Sequence, residues 1–393
     1  MIYKKITLRR GKEESLKRFH PWVFSGAIAH ADPAIEEGDV VSVFGSDGNH
    51  IGNGHYQVGS IMVRILAWGD TAIDEAFYSD RLRQAWRVRQ TLGLMRPDNN
   101  SFRLVHGEGD FLPGLVVDVY GSTAVIQAHS PGMHFARKSI AQALVDLPGA
   151  NINNVYYKSE TTLPYKAHLD PENQYLIGEF DTDVAMENGL RFHVDWLRGQ
   201  KTGFFVDQRE NRALLERYAQ GRRVLNMFCY TGGFSFYAMR GGATLVHSVD
   251  SSAKAIELTR ANVELNFPDD ARHEAFCEDA FKYLENSGTQ YDLVVLDPPA
   301  FAKHRGALHN ALKGYTRLNQ KALEKMPPGS ILFTFSCSQV VTKDHFRNAV
   351  FTAAALARRK VRILHQLHQP ADHPVNIYHP EGEYLKGLVL YVE

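Results

Sequence analysis

The sequence predicts an α/β protein whose C-terminal half is a doubly wound, mostly parallel sheet, and three observations carry that expectation. Seven short apolar runs recur at 223–228, 244–250, 273–278, 291–297, 330–336, 361–367 and 387–392, several dense in Val, Ile, Leu and Phe. Continuous apolar runs of that length are what strands buried on both faces look like. Segments of helical character separate the first six runs, which implies parallel strands with right-handed crossovers. The last connection, 368–385, contains Pro370, Pro374, Pro380 and Gly382 and has no helical period. A parallel return needs a helical crossover and an antiparallel one does not, so strand seven is expected to run antiparallel.

Each element follows from local pattern. Between the runs, 252–266 reads as a helix with Ala255, Leu258, Asn262 and Leu265 on one face, and 308–326 and 344–359 read as helices too. Upstream, β-like runs at 39–44 and 61–68 are separated by turns such as Gly45-Ser46-Asp47-Gly48, a small β-rich domain. A helix is expected over 72–95 with Ala76, Leu82, Ala85 and Val88 as its apolar side. Runs at 115–120 and 123–128 flank Gly121-Ser122 as a hairpin, followed by a helix at 135–147 and a strand at 154–157. The expected organisation is three domains: 1–70 β-rich, 71–185 α+β, and 186–393 α/β.

Composition bounds the function. The 393 residues are 44% hydrophobic and 22% charged, ordinary for a soluble globular chain with two or three cores. No stretch approaches the ~18 apolar residues of a membrane span, and MIYKKITLRR lacks the apolar region of a secretory signal. Three cysteines, Cys229, Cys277 and Cys337, without CxxC argue against a disulfide framework or zinc site and fit a cytoplasmic location. Lys plus Arg equals Asp plus Glu at 44 each, so net charge gives no general reason for a nucleic-acid partner. The first twenty residues differ, with Lys4, Lys5, Arg9, Arg10, Lys12, Lys17 and Arg18 against Glu13 and Glu14. Such a segment is either a polyanion contact or a solvated face.

Four successive strand ends carry matching features. The first ends in Asn226-Met227-Phe228-Cys229-Tyr230-Thr231-Gly232-Gly233-Phe234-Ser235, where a glycine pair lets a ligand approach the backbone. It is not GxGxxG, so a pyrophosphate cradle is not supported. The second ends in Val249-Asp250-Ser251, an acid placed to grip ribose hydroxyls. The third gives Glu278-Asp279-Ala280, where a carboxylate can accept from an adenine amino group, and the fourth Asp297-Pro298-Pro299, an extended loop just past the sheet's carboxyl edge. Any one acid could be a plain cap. Four in register point to a nucleoside cofactor.

The elements VLNMFCYTGGFS, VDSS, EDAF and LDPPAF resemble the motifs of class I S-adenosylmethionine-dependent RNA methyltransferases, which have a Rossmann-like sheet of six parallel strands and an antiparallel seventh. A dinucleotide dehydrogenase would continue with parallel strands. Lys201-Thr202-Gly203-Phe204-Phe205-Val206-Asp207-Gln208-Arg209 resembles the segment that closes over the cofactor in that group. The resemblance implies S-adenosylmethionine as cofactor, with Gln208 and Arg209 near its methionine end. The rest of the implied binding set is Phe228, Tyr230, Thr231, Gly232, Gly233, Asp250, Ser251, Asp279 and Asp297.

Strand five ends in Phe335-Ser336-Cys337-Ser338, one strand's width from Asp297. A cysteine is usually a small core residue, and Cys277, inside strand three, is expected to be core, with Cys229 packing in the glycine turn. Cys337 stands where a substrate can reach it. Carbon 5 of a pyrimidine becomes nucleophilic only after a thiolate adds to carbon 6, so Cys337 as nucleophile and Asp297 as the acid on the cytosine edge suit cytosine carbon-5 methylation. Transfer to an exocyclic nitrogen uses similar Asp-Pro-Pro loops without a thiol and stays open, as does a non-catalytic RNA-binding protein retaining the fold. FTFSCS, with Ala371-Asp372-His373-Pro374 and Tyr384-Leu385-Lys386-Gly387, resembles bacterial cytosine-5 methyltransferases of 23S ribosomal RNA. Another cytosine-5 family carries a second cysteine in the strand-four loop. Here that loop has none, which leaves the base that releases product open, with His373 one candidate and a structural histidine the other reading. Phe19-His20-Pro21-Trp22-Val23-Phe24 resembles the opening of a PUA domain fused to this subgroup, an RNA-gripping pseudo-barrel. The implied partner is RNA, held by that domain and the basic N-terminal segment. No membrane partner is expected, and a homodimer is left open.

Overall fold

A computed structural model describes residues 3–164, 167–169 and 171–393. The chain divides into two compact units, Met1–Gly189 with Val194–Val206 and Ala371–Gly382, and Leu190–His193 with Asp207–Pro370 and Glu383–Glu393.

The first unit begins with strands β1 (Lys4–Leu8), β2 (Trp22–Phe24), β3 (Ile28–Ala31), β4 (Val40–Phe44), β5 (His50–Tyr56) and β6 (Ile61–Trp68), with the one-turn helix α1 (Glu14–Lys17) after β1. They form one sheet in the order β2-β6-β5-β4-β1-β3, antiparallel except for β1 beside β4. Alternate residues Ile6 and Leu8, Val41 and Val43, and Val63 and Ile65 are buried together, the period-two pattern of a sheet with one covered face. Helix α2 (Glu75–Thr91) follows. Its start is fixed by Asp74, whose side chain accepts from Phe77 N at 3.0 Å.

The buried stripe of α2 is Phe77, Tyr78, Leu82, Ala85, Trp86 and Arg89. Leu82 and Ala85 belong to it as expected, whereas Ala76 and Val88 are exposed. The helix is rotated because its bulky aromatics fill the core and Arg89, fully buried, pairs with Asp110 through both carboxylate oxygens. An apolar count assigns an arginine to water, and so misses that side.

A second sheet, β11-β10-β9-β8-β7, comprises β7 (Ser101–His106), β8 (Leu115–Tyr120), β9 (Thr123–Ala128), β10 (Asn154–Tyr157) and β11 (Gln174–Ile177). Strands β8 and β9 form the hairpin expected about Gly121-Ser122, and the short helices α3 (Pro131–Phe135) and α4 (Arg137–Val145) replace the single helix expected at 135–147. The short strand β12 (Val184–Glu187) closes the N-terminal part. The tail segment Ala371–Gly382 joins this unit: the Asp372 carboxylate accepts from Arg103 N at 3.0 Å and its carbonyl from Arg89 Nη2 at 2.7 Å.

The second unit opens with β13 (Leu190–His193) and α5 (Arg209–Glu216). It then alternates β14 (Arg223–Met227), α6 (Gly233–Arg240), β15 (Leu245–Asp250), α7 (Ala253–Asn266), β16 (His273–Cys277), α8 (Ala280–Asn286), β17 (Leu293–Leu296), α9 (Leu308–Lys325), β18 (Ser330–Ser336), α10 (Lys343–Leu356) and β19 (Val361–His368), and ends in β20 (Lys386–Val392). The sheet order is β16-β15-β14-β17-β18-β20-β19. Strand β20 lies antiparallel between β18 and β19, and the other pairs are parallel. This is the expected seven-stranded α/β sheet with an antiparallel last strand. The central strands are buried throughout because helices cover both faces.

On α7 the buried residues are Ala255, Ile256, Thr259, Asn262 and Val263, while Leu258 and Leu265 are only half-buried. Two of the five are polar, and they face the turn after β14. Cys277 also departs from expectation: it is exposed, because β16 is an edge strand and Cys277 is its last residue.

Candidate active site

The loops at the carboxyl ends of β14, β15, β17 and β18 converge, as open α/β sheets require. After β14 the backbone is left-handed at Phe228 (φ 58°), Tyr230 (φ 49°) and Gly232 (φ 87°). A Cβ on Gly232 would lie 2.5 Å from the Phe236 ring, and one on Gly233 3.1 Å from Arg212 Cδ. The turn is held by its neighbours. Tyr230 N donates to Asp250 Oδ2 at 3.0 Å, Thr259 Oγ1 donates to Tyr230 O at 2.9 Å, and Asn262 Nδ2 donates to Thr231 O at 3.2 Å. This is why α7 buries polar side chains. Cys229 is buried in the same turn, and burial pushes its thiol far up.

Asp250 also accepts from Ser252 N at 2.9 Å, so the carboxylate braces two loops at once. Asp279 is exposed and caps α8, accepting from Lys282 N at 3.0 Å through Oδ1. Ser251, in the β15 loop, is exposed too.

The fourth and fifth strand ends carry the unusual electrostatics. Leu296 of β17 pairs with Thr334 of β18, so the chain leaves β17 at Asp297 while β18 runs on to Ser336, with Cys337 the first residue past its end. Ser338 Oγ donates to Ala302 O at 2.6 Å and ties the cysteine loop to the Asp-Pro-Pro loop. Gln208, buried at the start of α5, donates to Asp297 Oδ2 at 3.0 Å, and Asn211 Nδ2 holds the Gln208 carbonyl at 2.6 Å. Arg209 is buried next to it, its Nε 3.5 Å from Glu210. Burial, then the Asp207 charge, pushes the Asp297 carboxyl up to about 7, against the opposing pull of Gln208 and Arg212. Cys337 is half-buried, its thiol pushed up to about 12 by burial, then by Asp297 and Asp207.

Three members of this group were not singled out from sequence. Asp207 accepts from the Tyr384 hydroxyl at 2.6 Å, and its other oxygen, Oδ1, is buried with no hydrogen-bond partner among the described residues. Lys386 is buried and donates to Ser338 O at 2.5 Å and Val341 O at 2.7 Å. The signal was present, since Asp207 lies inside KTGFFVDQR and Tyr384 and Lys386 inside YLKG, but spacing alone does not say that a tail lysine meets a strand-five loop.

His373 lies in the first unit's tail segment. It is buried, with Nδ1 3.2 Å from Asp372 Oδ1 and its ring 5.0 Å from that of His106. Of the N-terminal basic set, Lys4 pairs with Asp39 at 2.8 Å, Lys17 with Glu14 at 3.3 Å, Lys5 lies over the Phe44 ring and Arg9 Nε donates to Ile28 O. Arg10, Lys12 and Arg18 are exposed. Among the described residues, one group has metal-ligand spacing, His20, His379 and Glu381. The backbone N–H of Trp22 points at His20 Nδ1 over 3.3 Å, which leaves the proton of a neutral ring on Nε2, the nitrogen facing Glu381. No helix among the described residues is long and apolar enough to cross a membrane.

Residues 104–378 match the family profile described as S-adenosylmethionine-dependent methyltransferase. The chain belongs to that family. Residues 6–68 of this methyltransferase match a PUA-like domain, the β1–β6 sheet. It is similar to proteins named ribosomal RNA large subunit methyltransferase I. That of Shewanella denitrificans is 39% identical over 400 residues, 99% of each chain, and that of Klebsiella pneumoniae is 37% identical over 100% of this chain and 99% of its own. Among solved structures, an S-adenosylmethionine-dependent methyltransferase from Streptococcus mutans superposes with a TM-score of 0.83 at 23% identity, covering 99% of this chain and 100% of its own. A methyltransferase complexed with SAH gives 0.84 at the same identity and coverage. At that identity the likeness establishes the fold.

The chain is S-adenosylmethionine-dependent, and its residues fit that group. Thr231 Oγ1 in the glycine turn is buried without a hydrogen-bond partner among the described residues, as is Asp207 Oδ1. Asp207 and Asp297 act on each other as like charges, a setting that a sulfonium cation relieves.

Proposed function

We propose that this methyltransferase modifies carbon 5 of a cytosine in large-subunit, 23S ribosomal RNA, with Cys337 as nucleophile and Asp297 on the cytosine edge. The observation that carries the reading is the placement of a half-buried thiol at the end of β18, in the field of Asp297 and Asp207. The relatives' name supports ribosomal RNA as substrate, and the PUA-like domain supports RNA as partner. The cofactor-binding set is Gln208, Arg209, Phe228, Tyr230, Thr231, Gly232, Gly233, Asp250, Ser251, Asp279 and Asp297. Domain boundaries near residues 70 and 185, and a cytoplasmic location, complete the proposal.

When bound, S-adenosylmethionine supplies an electrophilic methyl group. The Cys337 thiolate adds to carbon 6 of the ring, the electron pair moves to carbon 5, and carbon 5 takes the methyl as the donor's sulfur–methyl bond breaks with its electron pair staying on sulfur, which leaves S-adenosylhomocysteine. A base removes the carbon 5 proton, the carbon 6–sulfur bond breaks, and the thiolate is returned. Asp297, near 7, holds or yields a proton at the cytosine nitrogen edge close to neutral pH. The target base must be single-stranded or flipped out to reach the loop.

The elevated thiol favours a second reading, transfer to an exocyclic nitrogen with Cys337 only packing. Cys337→Ala separates the two: loss of transfer with cofactor binding intact is expected, and unchanged transfer sinks the nucleophile. Bisulfite mapping of ribosomal RNA from cells with and without the protein should show a single cytosine losing protection.

A further inference from the structure

We propose that Lys386 is a positioning residue that holds the turn after Cys337 and sets a positive charge against the Cys337 thiolate. The inference rests on Cys337 as nucleophile.

Register places the lysine. Ser336, the last residue of β18, pairs with Lys386, the first residue of β20, so the antiparallel return brings the lysine beside the residue preceding the cysteine. Its ammonium spans the following turn, donating to Ser338 O and Val341 O. Two neutral carbonyls receive a buried cation, and no carboxylate pairs with it among the described residues. The nearest tail acid, Glu383, is taken by Lys343 at 2.5 Å.

A turn needs only a donor to hold two carbonyls, and a neutral side chain does that without the desolvation cost of a buried charge, several kcal/mol in general. A cation retained in such a place requires an anion, and the anion this site generates is the thiolate. The two groups act on each other: burial draws the Lys386 amine down to about 8 against the upward pull of the Cys337 charge, and Lys386 draws the thiol down. The groups opposing it are Asp297 and Asp207, which push the thiol up. Tyr315, Glu383 and Lys343 complete the charged and titratable surroundings of the pair.

The test reads the thiol directly. In a Cys277→Ser background, which removes the exposed cysteine, the iodoacetamide alkylation rate of Cys337 is followed by peptide mass without RNA or donor at about pH 7, where a Lys386 amine drawn down to about 8 still carries its proton. Lys386→Gln keeps a donor for the turn and removes the charge, and is expected to react about tenfold more slowly, one pKa unit's worth of thiolate. Lys386→Arg keeps the charge and is expected to stay within about threefold of the parent by the same relation. An unchanged rate in K386Q, or a K386R rate as low as that of K386Q, overturns the proposal. If K386Q does not fold, K386R against the parent still decides it: a tenfold loss overturns it and retention supports it. Failure here removes the Lys386 assignment alone. Methyl transfer surviving in C337A removes the nucleophile reading and leaves the alkylation result standing.

Discussion

Gln208 donates its side-chain N–H to Asp297 Oδ2 over 3.0 Å, and Asn211 fixes the Gln208 carbonyl from the other side. This links the start of α5 to the loop after β17, 89 residues later. It also holds in place an acid that burial raises to about 7.

Donor binding should therefore depend on pH. Asp297 is raised to about 7, so it is neutral below that value and negative above it. Affinity for the sulfonium of S-adenosylmethionine should rise as pH passes from 6 to 8, while affinity for uncharged S-adenosylhomocysteine should change less. Asp297→Asn should flatten the difference, and Gln208→Leu should move its midpoint upward by under about one unit, the worth of one hydrogen bond. Calorimetry at three pH values checks all three. Without ligand, the native carboxyl keeps a proton that the unfolded chain has lost, so this group's contribution to stability falls as pH rises from about 4 through about 7.

Gly232→Ala should damage the cofactor turn. The backbone is left-handed there (φ 87°), and the added Cβ would meet the Phe236 ring at 2.5 Å. A loss of about 1–3 kcal/mol in stability is expected, with S-adenosylmethionine affinity reduced, read by urea unfolding and calorimetry. An unchanged melting curve and affinity would mean that the turn relaxes freely.

Asp110→Ala leaves the Arg89 guanidinium buried without its carboxylate. Breaking such a pair costs about 3–5 kcal/mol, so the first unit should unfold at lower urea. Because Arg89 also donates to Asp372 O, hydrogen-exchange protection at 371–382 should fall with it. The double change Arg89→Met with Asp110→Leu should recover part of the loss, since removing both charges is far less costly than removing one.

RNA affinity should depend on only part of the basic N-terminal segment. Replacing Arg10, Lys12 and Arg18 with Ala should lower the slope of log affinity against log salt by up to about 0.7 for each single-strand phosphate no longer neutralised. Lys4→Ala should act mainly on stability, because that ammonium is already paired with Asp39. Filter binding of ribosomal RNA fragments over a salt series separates the two sets.

Much of this protein is legible residue by residue. The central strands of the seven-stranded sheet are continuous apolar runs because helices cover both faces, and the ends of several strands are marked by glycine, proline and acids. The sides of helices are less legible. On α2, Arg89 occupies the buried stripe because its partner Asp110 is 21 positions away. On α7, Thr259 and Asn262 are buried because they satisfy carbonyls of a distant turn. A hydropathy period assigns such polar residues to water.

The linear order of residues determined the alternation of strands and helices, the antiparallel final strand, the glycine turn and the acids at four strand ends, since each follows from local propensity and burial period. Only the folded chain decided that Lys386 stands beside Ser336 and holds the turn after Cys337, that Asp207 and Asp297 press on one thiol, that Cys277 faces water and that His373 belongs with Asp372 and His106. Those outcomes depend on strand register and edge position. Pairings between residues far apart in the chain set them, and no local pattern encodes such pairings.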